Sequence, residues 1–595
     1  MTTSTFSEKP KFIEDSAFDL GEAVSFVEQP ILEKKNISGA EAVILSLIAE
    51  QVEAVFGYPG GAIMPVYDAL HGYNDKLKHY LVRHEQGATH AAQGYARVAK
   101  RAGVCFATSG PGATNLITGI ADAMIDSTPL VCITGQVARH LLGTDAFQET
   151  DVIGISMPVT KWNFQVTRAD EIAEAIAKAF YIAESGRPGP VLIDITKNAQ
   201  IEMCDFVYRK CTRVRSYVPQ LPIKMKAINE AAELINHAQK PMFLIGQGII
   251  LSQAQEELKK VLEKSGAPAA STLLGLSALS HTHPNYVGYL GMHGNYGPNV
   301  KSNEADVIIA VGMRFDDRVT GDLKTYLKKA KIIHIEIDPA EIDKNVKTDV
   351  AIISDAKEAL IALLPKLKQK TYPEWMAEFK ECDRIEKEKV LDKDFAPNTE
   401  KIKMAEVIKM LSEKTKGKAI IVTDVGQHQM TTTRYYQFEQ TQSNITSGGL
   451  GTMGFALPAS IGAKIGRQDR EVIAIIGDGG FQMTLQELGV IMQYEVGVKI
   501  VILNNSFLGM VRQWQQLFFE KRYSFTEMHN PNFVKLAEAY NIPAKKLEKR
   551  EDMSNVLDLM LDHKGSFLLE IVVEKEDNVF PMVPAGASVS NIRLE

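Results

Sequence analysis

Cysteine is scarce in this chain: five residues in 595, at Cys105, Cys132, Cys204, Cys211 and Cys382, odd in number and without CxxC spacing. That excludes a disulfide scaffold and a Cys-rich zinc site, and it predicts reduced structural thiols in a cytoplasmic protein. Basic charge is not in excess either, with 66 Lys+Arg against 73 Asp+Glu and a formal net charge of -7. No domain-wide basic surface is therefore available to displace counterions from phosphates, and no nucleic-acid partner is expected. No apolar run reaches about 18 residues, so no membrane-spanning helix is expected. The chain also lacks short-period repeats and low-complexity tracts. Residues 1–35 carry seven acids and four lysines. That matches neither a secretory signal, which needs a basic start and an apolar core, nor a transit peptide, which avoids acids. The stretch reads as a loosely ordered extension. What remains is ordinary globular composition, 45% hydrophobic and 23% charged, in a length that suggests about three to five domains.

From about residue 36, helical patterns alternate with short apolar, β-branched runs. The runs are VEAVFGYP at 52–59, VCFATSG at 104–110, PLVCITG at 129–135 and PVLIDIT at 190–196. They resume with PMFLIGQG at 241–248, DVIIAVG at 306–312 and KIIHIEID at 331–338, and again with AIIVTDVG at 419–426, VIAIIGDG at 472–479 and VKIVILNN at 498–505. Strands separated by helices of this length imply parallel sheets covered by helices on both faces. The polar stretches at 199–228 and 366–400, the second charge-rich with prolines at 373 and 397, read as linkers. The expected architecture is α/β, with three doubly wound domains at 36–198, 229–365 and 401–575 and a terminal arm at 576–595.

The most specific chemical signal is GDGGFQMTLQELGVIMQYEVGVKIVILNN at 477–505. A strand ends at Gly477-Asp478-Gly479, a helix follows, and the next strand ends at Asn504-Asn505. Consecutive parallel strands put their carboxyl ends on one edge, where open α/β sheets bind ligands, so Asp478 and Asn505 can converge. A carboxylate and an amide oxygen are hard ligands suited to Mg²⁺, which completes its shell with phosphate and water. The glycines allow close backbone approach and offer N–H groups at a helix N-terminus to an anion.

GDG followed at this interval by NN is the thiamine-diphosphate signature. Over about residues 36–590 the chain resembles thiamine-diphosphate-dependent enzymes of the acetohydroxyacid synthase family, large catalytic subunit. The resemblance names the domains as pyrimidine-binding, central FAD-associated and diphosphate-binding. It implies Mg²⁺ held by Asp478, Asn505 and the main-chain carbonyl of Phe507. It also implies cofactor contacts along Gly477, Gly479, Gly480, Leu508, Gly509 and Met510. Val425-Gly426-Gln427-His428 and Gly449-Leu450-Gly451-Thr452-Met453-Gly454 match the family's diphosphate and aminopyrimidine segments; Gln427, His428, Gly451 and Met453 carry the match, with Met453 as the apolar wedge behind the bent cofactor. Two departures stand out. Gly479-Gly480 replaces the GDASF or GDGSF of many members, removing a phosphate-side hydroxyl, and Ser506-Phe507 replaces a commoner polar or acidic pair, which leaves a carbonyl ligand intact.

Arg83-His84-Glu85-Gln86-Gly87 stands between a short strand and an Ala-rich helix. In isolation a Glu there suits the helix dipole. By resemblance Glu85 is the glutamate that contacts N1′ of the aminopyrimidine, where a carboxyl group in low-dielectric surroundings can share the proton whose movement makes the 4′-amino group a base. Because Glu85 and Asp478 lie in different domains, the site has to be assembled between domains. The family assembles it between subunits, implying a homodimer or homotetramer with inter-subunit sites, together with a small separate regulatory subunit. Tyr58-Pro59-Gly60-Gly61 would let the backbone approach the thiazolium; Ala146-Phe147-Gln148-Glu149 matches the family's AFQE. The resemblance thus implies catalytic roles for Glu85, Gln148 and Gly61, cofactor contact at Gly60, and substrate contact at Phe147 and Lys197.

The middle domain has no GxGxxG, since Gly246-Gln247-Gly248 lacks the third glycine, and so no generic nucleotide fingerprint. Its Met313-Arg314-Phe315-Asp316-Asp317-Arg318-Val319-Thr320-Gly321 resembles the family's FAD region. FAD contacts are expected at Arg187, His293, Gly294, Arg314, Asp316, Glu336 and Asp355. Asn505 to Trp514 parallels the family's NNxxxGMVxQW, in which Trp514 would favour 2-ketobutyrate as acceptor while Arg318 binds its carboxylate. An ionic clamp supplies binding, and shape discriminates one methylene, worth about 1–3 kcal/mol. The implied reaction takes pyruvate as donor and pyruvate or 2-ketobutyrate as acceptor, giving precursors of valine, leucine and isoleucine. FAD is expected to be structural because no net redox change occurs.

Overall fold

A computed structural model describes residues 24–395 and 399–595. The expectation for residues 1–23 lies outside the described residues. Each β-branched run named above forms a strand, from Ala54–Gly57 and Gly103–Ala107 in the first domain to Val472–Gly477 and Lys499–Asn504 in the third. Apart from the exposed Lys331 at the start of its strand, these strands are buried along their length because helices cover both faces, which is why their sequences are continuously apolar rather than alternating.

Three six-stranded sheets result, and every strand pair in them is parallel. In the first sheet the spatial order is Lys78–Leu81, Ala54–Gly57, Gly103–Ala107, Leu130–Gln136, Pro190–Thr196, Trp162–Val166. The third sheet repeats that connectivity with Asn444–Thr446, Ile420–Thr423, Val472–Gly477, Lys499–Asn504, Phe567–Val572 and Ala544–Leu547. In both, the direction of winding reverses between the first and third strands in sequence. The middle sheet reverses elsewhere, between Pro241–Ile245 and Val307–Val311. Ligand crevices form where winding reverses, outside the carboxyl ends of the strands. The fold therefore fixes three such crevices, at Tyr58–Gly61 with Thr108–Gly112, at Gly246–Gly248 with Gly312–Arg314, and at Asp424–Gln427 with Gly477–Gly479.

The stretches expected as linkers carry regular structure. Met203–Tyr208 pairs antiparallel with Leu32–Ser38, and Cys211–Val214 with Val24–Phe26. Residues 24–38 and 203–214 thus form two small ribbons on the first domain, and the end of the expected 1–35 extension is pinned by them. The second polar stretch contains a helix, Pro373–Glu386, whose Trp375 and Phe379 are buried in the middle-domain core. Most of its charged residues, Glu386 excepted, lie on the outer face, which made it read as a linker. The arm after residue 575 crosses to the middle domain: Val583 N–H donates to the Met292 carbonyl at 2.8 Å, and Val589 enters the middle core.

The first and third domains meet within one chain along two helices, Glu85–Ala99 and Ala456–Gly466. They cross so closely that a methyl group on Gly462 would lie 1.8 Å from the Ala91 carbonyl oxygen, and one on Gly94 1.9 Å from that of Ala459. Only glycine permits this approach. No helix among the described residues is long and apolar enough to cross a membrane.

Candidate active site

At the third-domain crevice, Gly477 pairs with Leu503 on the adjacent strand, which brings Asp478 and Asn505 to the same edge. Both are buried, at 1% and 3% exposure. Burial pushes the Asp478 carboxyl up to about 6, opposed by a hydrogen bond from Asn530 and by backbone N–H groups of Asn505 and Gly479. Asn530 Nδ2 donates to Asp478 Oδ2 at 2.7 Å and to Asn504 Oδ1 at 3.0 Å. Asn505 Nδ2 donates to Gln427 Oε1 at 3.3 Å, and Asn505 Oδ1 accepts the Phe507 N–H at 3.1 Å. Ser506 between them has φ 55°, the left-handed turn that reverses the chain after Asn505. Leu508 and Met453 flank Gly479, at 2.9 and 3.8 Å from its ideal Cβ position. Gln427, His428, Met453, Asp478, Asn505, Leu508 and Gly509 thus gather at one crevice.

Several features of this crevice fit a magnesium-bound diphosphate. His428 is buried, which pushes its imidazole down to about 3, so it is neutral, and its Nε2 has no hydrogen-bond partner. The ring's one proton is engaged by the Asp424 carbonyl, so that nitrogen is an acceptor open to a water or hydroxyl of the bound ligand. The donor set of one carboxylate, one amide oxygen and a carbonyl suits Mg²⁺, and among the described residues no cluster of three or more His, Cys, Asp or Glu offers an alternative metal centre. The absent hydroxyl at Gly480 has a steric cause: a Cβ there would stand 2.4 Å from Asp424 Oδ1. Asp424 is fully buried and accepts the N–H groups of Val425, Gly454 and Ala456, each at 3.0 Å. It thereby ties the strand end to the Met453 turn.

The first-domain crevice gathers a second set. Glu85 begins its helix and is 8% exposed; its Oε2 accepts from Asn115 Nδ2 at 2.9 Å. Its Oε1 faces Gly112, 3.2 Å from the ideal Cβ. Thr108 packs on Gly60 and accepts the Ala62 N–H at 3.2 Å, and no atom lies within 4 Å of where a Gly61 side chain would begin. The Gln148 backbone lies against Gly110, while Phe147 is 88% exposed. Lys197 follows the strand Pro190–Thr196 on the same edge. Within one chain, no hydrogen bond or ion pair joins Glu85 to Asp478 or Asn505 among the described residues.

A cavity of about 990 Å³ runs between the three domains. Its lining includes Arg187, His293, Arg314, Asp316, Arg318, Glu336 and Asp355 together with Gly451, Met453, Met510 and Trp514. Glu85, Asp478 and Gln148 do not line it. The cavity follows the middle-domain crevice through Gln247, Gly248 and Gly312. Burial pushes Glu336 up to about 7, and its Oε1 accepts the N–H groups of Ile337 and Asp338. Asp316 and Asp355 face the same space while capping short helices, each accepting two backbone N–H groups. Arg187 is engaged with Asp338 at 3.0 Å and Glu341 at 2.9 Å. Arg318 is mostly exposed and only loosely paired, 3.7 Å from Asp317. Trp514, on the helix Gly509–Phe518, packs against Phe518 with the rings tilted and their centroids 5.2 Å apart. This cavity, bordered by glycine backbones and polar groups of the middle sheet, suits a dinucleotide such as FAD in size and lining.

Asn530 and Asp424 escaped the sequence reading. Each acts on a residue far away in sequence, and no spacing rule connects them to it.

Comparison with known proteins agrees with this partition. Residues 37–155 match the model described as thiamine pyrophosphate enzyme, N-terminal TPP binding domain. Residues 228–363 match the central domain, and 424–571 the C-terminal TPP binding domain. The chain is 44% identical over 557 residues to the acetolactate synthase isozyme 2 large subunit of Escherichia coli (strain K12), covering 93% of this chain and 99% of that one. It is 44% identical over 587 residues to an acetolactate synthase of Mycobacterium leprae (strain TN), with 96% and 93% covered. To the acetolactate synthase large subunit of Lactococcus lactis subsp. lactis (strain IL1403) it is 43% identical over 555 residues, with 93% and 95% covered.

Proposed function

The chain belongs to the acetolactate synthase large-subunit family of thiamine pyrophosphate enzymes, and we propose that it works as a homodimer, or a homotetramer made of two such dimers, with each site shared between two chains. Its activity is that family's, acetolactate synthesis with thiamine diphosphate in branched-chain amino acid biosynthesis. In our reading pyruvate is the donor, and a second pyruvate or 2-ketobutyrate the acceptor. The observation that supports the shared site is that its two halves lie in different sheets. The Asp478–Asn505 crevice and the Glu85–Gly61 crevice each lie where winding reverses in their own sheet, and among the described residues no hydrogen bond or ion pair within one chain joins Glu85 to Asp478 or Asn505.

When bound, thiamine diphosphate supplies the electron sink for decarboxylation. The residues do the rest. Asp478, Asn505 and the Phe507 carbonyl would hold Mg²⁺; His428, Gly477, Gly479, Gly480, Gly509 and Met510 would border the diphosphate, with Gln427 bonded to Asn505. Glu85 of the partnering chain, oriented by Asn115, shares a proton with the aminopyrimidine N1′. Gly60 and Gly61 keep the space beside the reacting carbon open, and Gln148 reaches the same place. Phe147, left exposed in one chain, and Lys197 border the substrate. Arg318 pairs with the acceptor carboxylate, and Trp514 sets the size of the alkyl pocket. The middle-domain cavity would hold FAD against Arg187, His293, Arg314, Asp316, Glu336 and Asp355, with Gly294 next to His293 but not part of the lining, and the net reaction would ask no electrons of it. A small regulatory subunit is a further partner, supported by the description of the relatives as large subunits. Five free cysteines support a cytoplasmic location.

The test has two parts. Purified protein is incubated with pyruvate, Mg²⁺, thiamine diphosphate and FAD, and the expected product is acetolactate without oxygen consumption; peroxide formation would instead identify an oxidase. Inactive Glu85→Gln and Asp478→Ala chains are then dissociated and mixed. A shared site predicts recovery towards about a quarter of wild-type activity, because about half of random dimers are mixed and each holds one intact site. No recovery on mixing, with mixed dimers demonstrated, refutes the shared site.

A further inference from the structure

The turn from Ser447 to Met453 connects the edge strand Asn444–Thr446 to the helix Ala456–Gly466. It borders the cavity with Gly448, Gly449, Leu450, Gly451 and Met453. Its conformation is held from outside its own domain. Asp126 grips two successive backbone N–H groups, Gly449 at 2.7 Å through Oδ1 and Gly448 at 2.8 Å through Oδ2. Asp122, one helical turn earlier, accepts the hydroxyls of Ser447 and Thr452 on Oδ1, the second at 2.9 Å; Ser447 Oγ in turn accepts the Thr452 N–H at 2.8 Å. Arg97 donates to the Thr446 carbonyl at 2.6 Å and to Asp126 Oδ2 at 3.0 Å. All three residues belong to the first domain, more than 300 positions away in sequence.

Asp122 and Asp126 are 0% and 1% exposed. Two carboxylates buried against one guanidinium are a costly way to join two domains, since apolar packing of similar volume would serve stability as well or better. What charged groups add is direction. A carboxylate spanning two adjacent N–H groups fixes the peptide planes between them, much as a bound anion orders a backbone nest. The clamp therefore specifies the shape of the turn rather than merely its attachment.

We propose that Arg97, Asp122 and Asp126 are positioning residues for the cofactor: they set the 447–453 turn before the cofactor arrives, and so fix where Gly451 and Met453 meet it. This rests on the reading of that turn as part of the thiamine site. It has a consequence for the dimer. Arg97 lies on the same helix as Glu85, twelve residues and about 18 Å along it. One helix then presents an acid to the site shared with the partner and, from its other end, shapes the site that its own chain's third domain supplies. The first domain serves both sites.

Cofactor binding is the direct test, measured on metal-loaded apoprotein by calorimetry or fluorescence quenching with thiamine diphosphate as the titrant. Asp126→Asn keeps the volume but turns an amide donor towards backbone donors. The expected result is at least fivefold weaker binding, with kcat at saturating cofactor within about threefold of wild type and an unchanged far-ultraviolet circular dichroism spectrum. Preorganisation acts on the binding step, which a general loss of stability would not single out. Should Asp126→Asn fail to fold, Thr452→Val and Ser447→Ala remove the hydroxyls facing Asp122 and leave both acids in place, and the same fivefold criterion applies. Affinity within fivefold of wild type in the folded variants overturns the proposal. If Met453→Ala also leaves the cofactor's affinity unchanged, the fault lies in assigning this turn to the thiamine site; if Met453→Ala weakens binding while the clamp variants do not, only the clamp is refuted.

Discussion

Replacing Glu386 by alanine would strand a buried cation beside the cofactor crevice. Glu386 lies where the helix Pro373–Glu386 continues into a π-helical turn, Lys387–Leu391. It is held there by Arg434, on the helix Gln427–Tyr435, in an ion pair whose side chains are 1% and 3% exposed. The same carboxylate accepts from Asn295 Nδ2 at 2.9 Å and from the Tyr296 N–H at 2.6 Å. It thus joins the third domain to the middle-domain turn that follows His293-Gly294. Without it, Arg434 keeps the Tyr435 hydroxyl at 3.2 Å, and its Nη1 is already buried without a partner. Breaking one side of a buried pair costs about 3–5 kcal/mol, whereas replacing both sides with apolar residues is often neutral. Glu386→Ala is therefore expected to lose about 3–5 kcal/mol in urea denaturation, and the double variant Glu386→Met with Arg434→Met to recover most of that loss. Because Arg434 shares a helix with Gln427 and His428, cofactor affinity should fall with stability in the single variant. A single variant within about 1 kcal/mol of wild type, or a double variant no better than the single, refutes the account, since either means that the Arg434 charge is not desolvated as its burial implies.

Glu85→Gln preserves the shape and the Asn115 contact but cannot share a proton, so turnover should fall about 10²–10⁴-fold with the melting temperature nearly unchanged; turnover within tenfold of wild type would remove Glu85 from the mechanism. Trp514→Leu enlarges the acceptor pocket, and the preference for 2-ketobutyrate over pyruvate in competition should drop by roughly tenfold, the worth of about one methylene; an unchanged product ratio would place the discriminating surface elsewhere. Glu487 accepts the Arg83 N–H on both oxygens, at 3.1 and 3.2 Å, and burial pushes its carboxyl up to about 7. An acid raised on folding stabilises the fold below its unfolded value near 4.5 and loses that contribution as pH rises through about 7. Over this window the wild type should lose up to about 3 kcal/mol from this group, and Glu487→Gln should show a correspondingly flatter stability profile. Identical slopes for the two proteins would mean that Glu487 ionises normally despite its burial.

The legibility of this chain divides along physical lines. Central strands such as Val472–Gly477 were readable because two-sided burial demands continuous apolar sequence. Edge strands were not: Ala544–Leu547 reads AKKL with both lysines exposed, and in Met203–Tyr208 only Phe206 and Tyr208 are buried, so its polar residues resembled a linker. Asp478 and Asn505 were legible from topology, since adjacent parallel strands must end on one edge. Glu85 was not; its position suits an ordinary helix start, and resemblance alone singled it out. The least legible part is the set of long-range polar ties. Asn530 on Asp478, Glu487 on Arg83, and Asp126 on Gly448 and Gly449 link positions 52, 404 and 322 residues apart. A carboxylate in sequence carries no mark of which backbone it will meet, because that is decided by how whole domains pack. The repeated strand order of the first and third domains was equally hidden: a winding pattern constrains where strands end, and many sequences satisfy it. The two crevices thus share an architecture without sharing residues, one furnishing an acid and the other a metal anchor. The proposed dimer would bring one of each to a single cofactor.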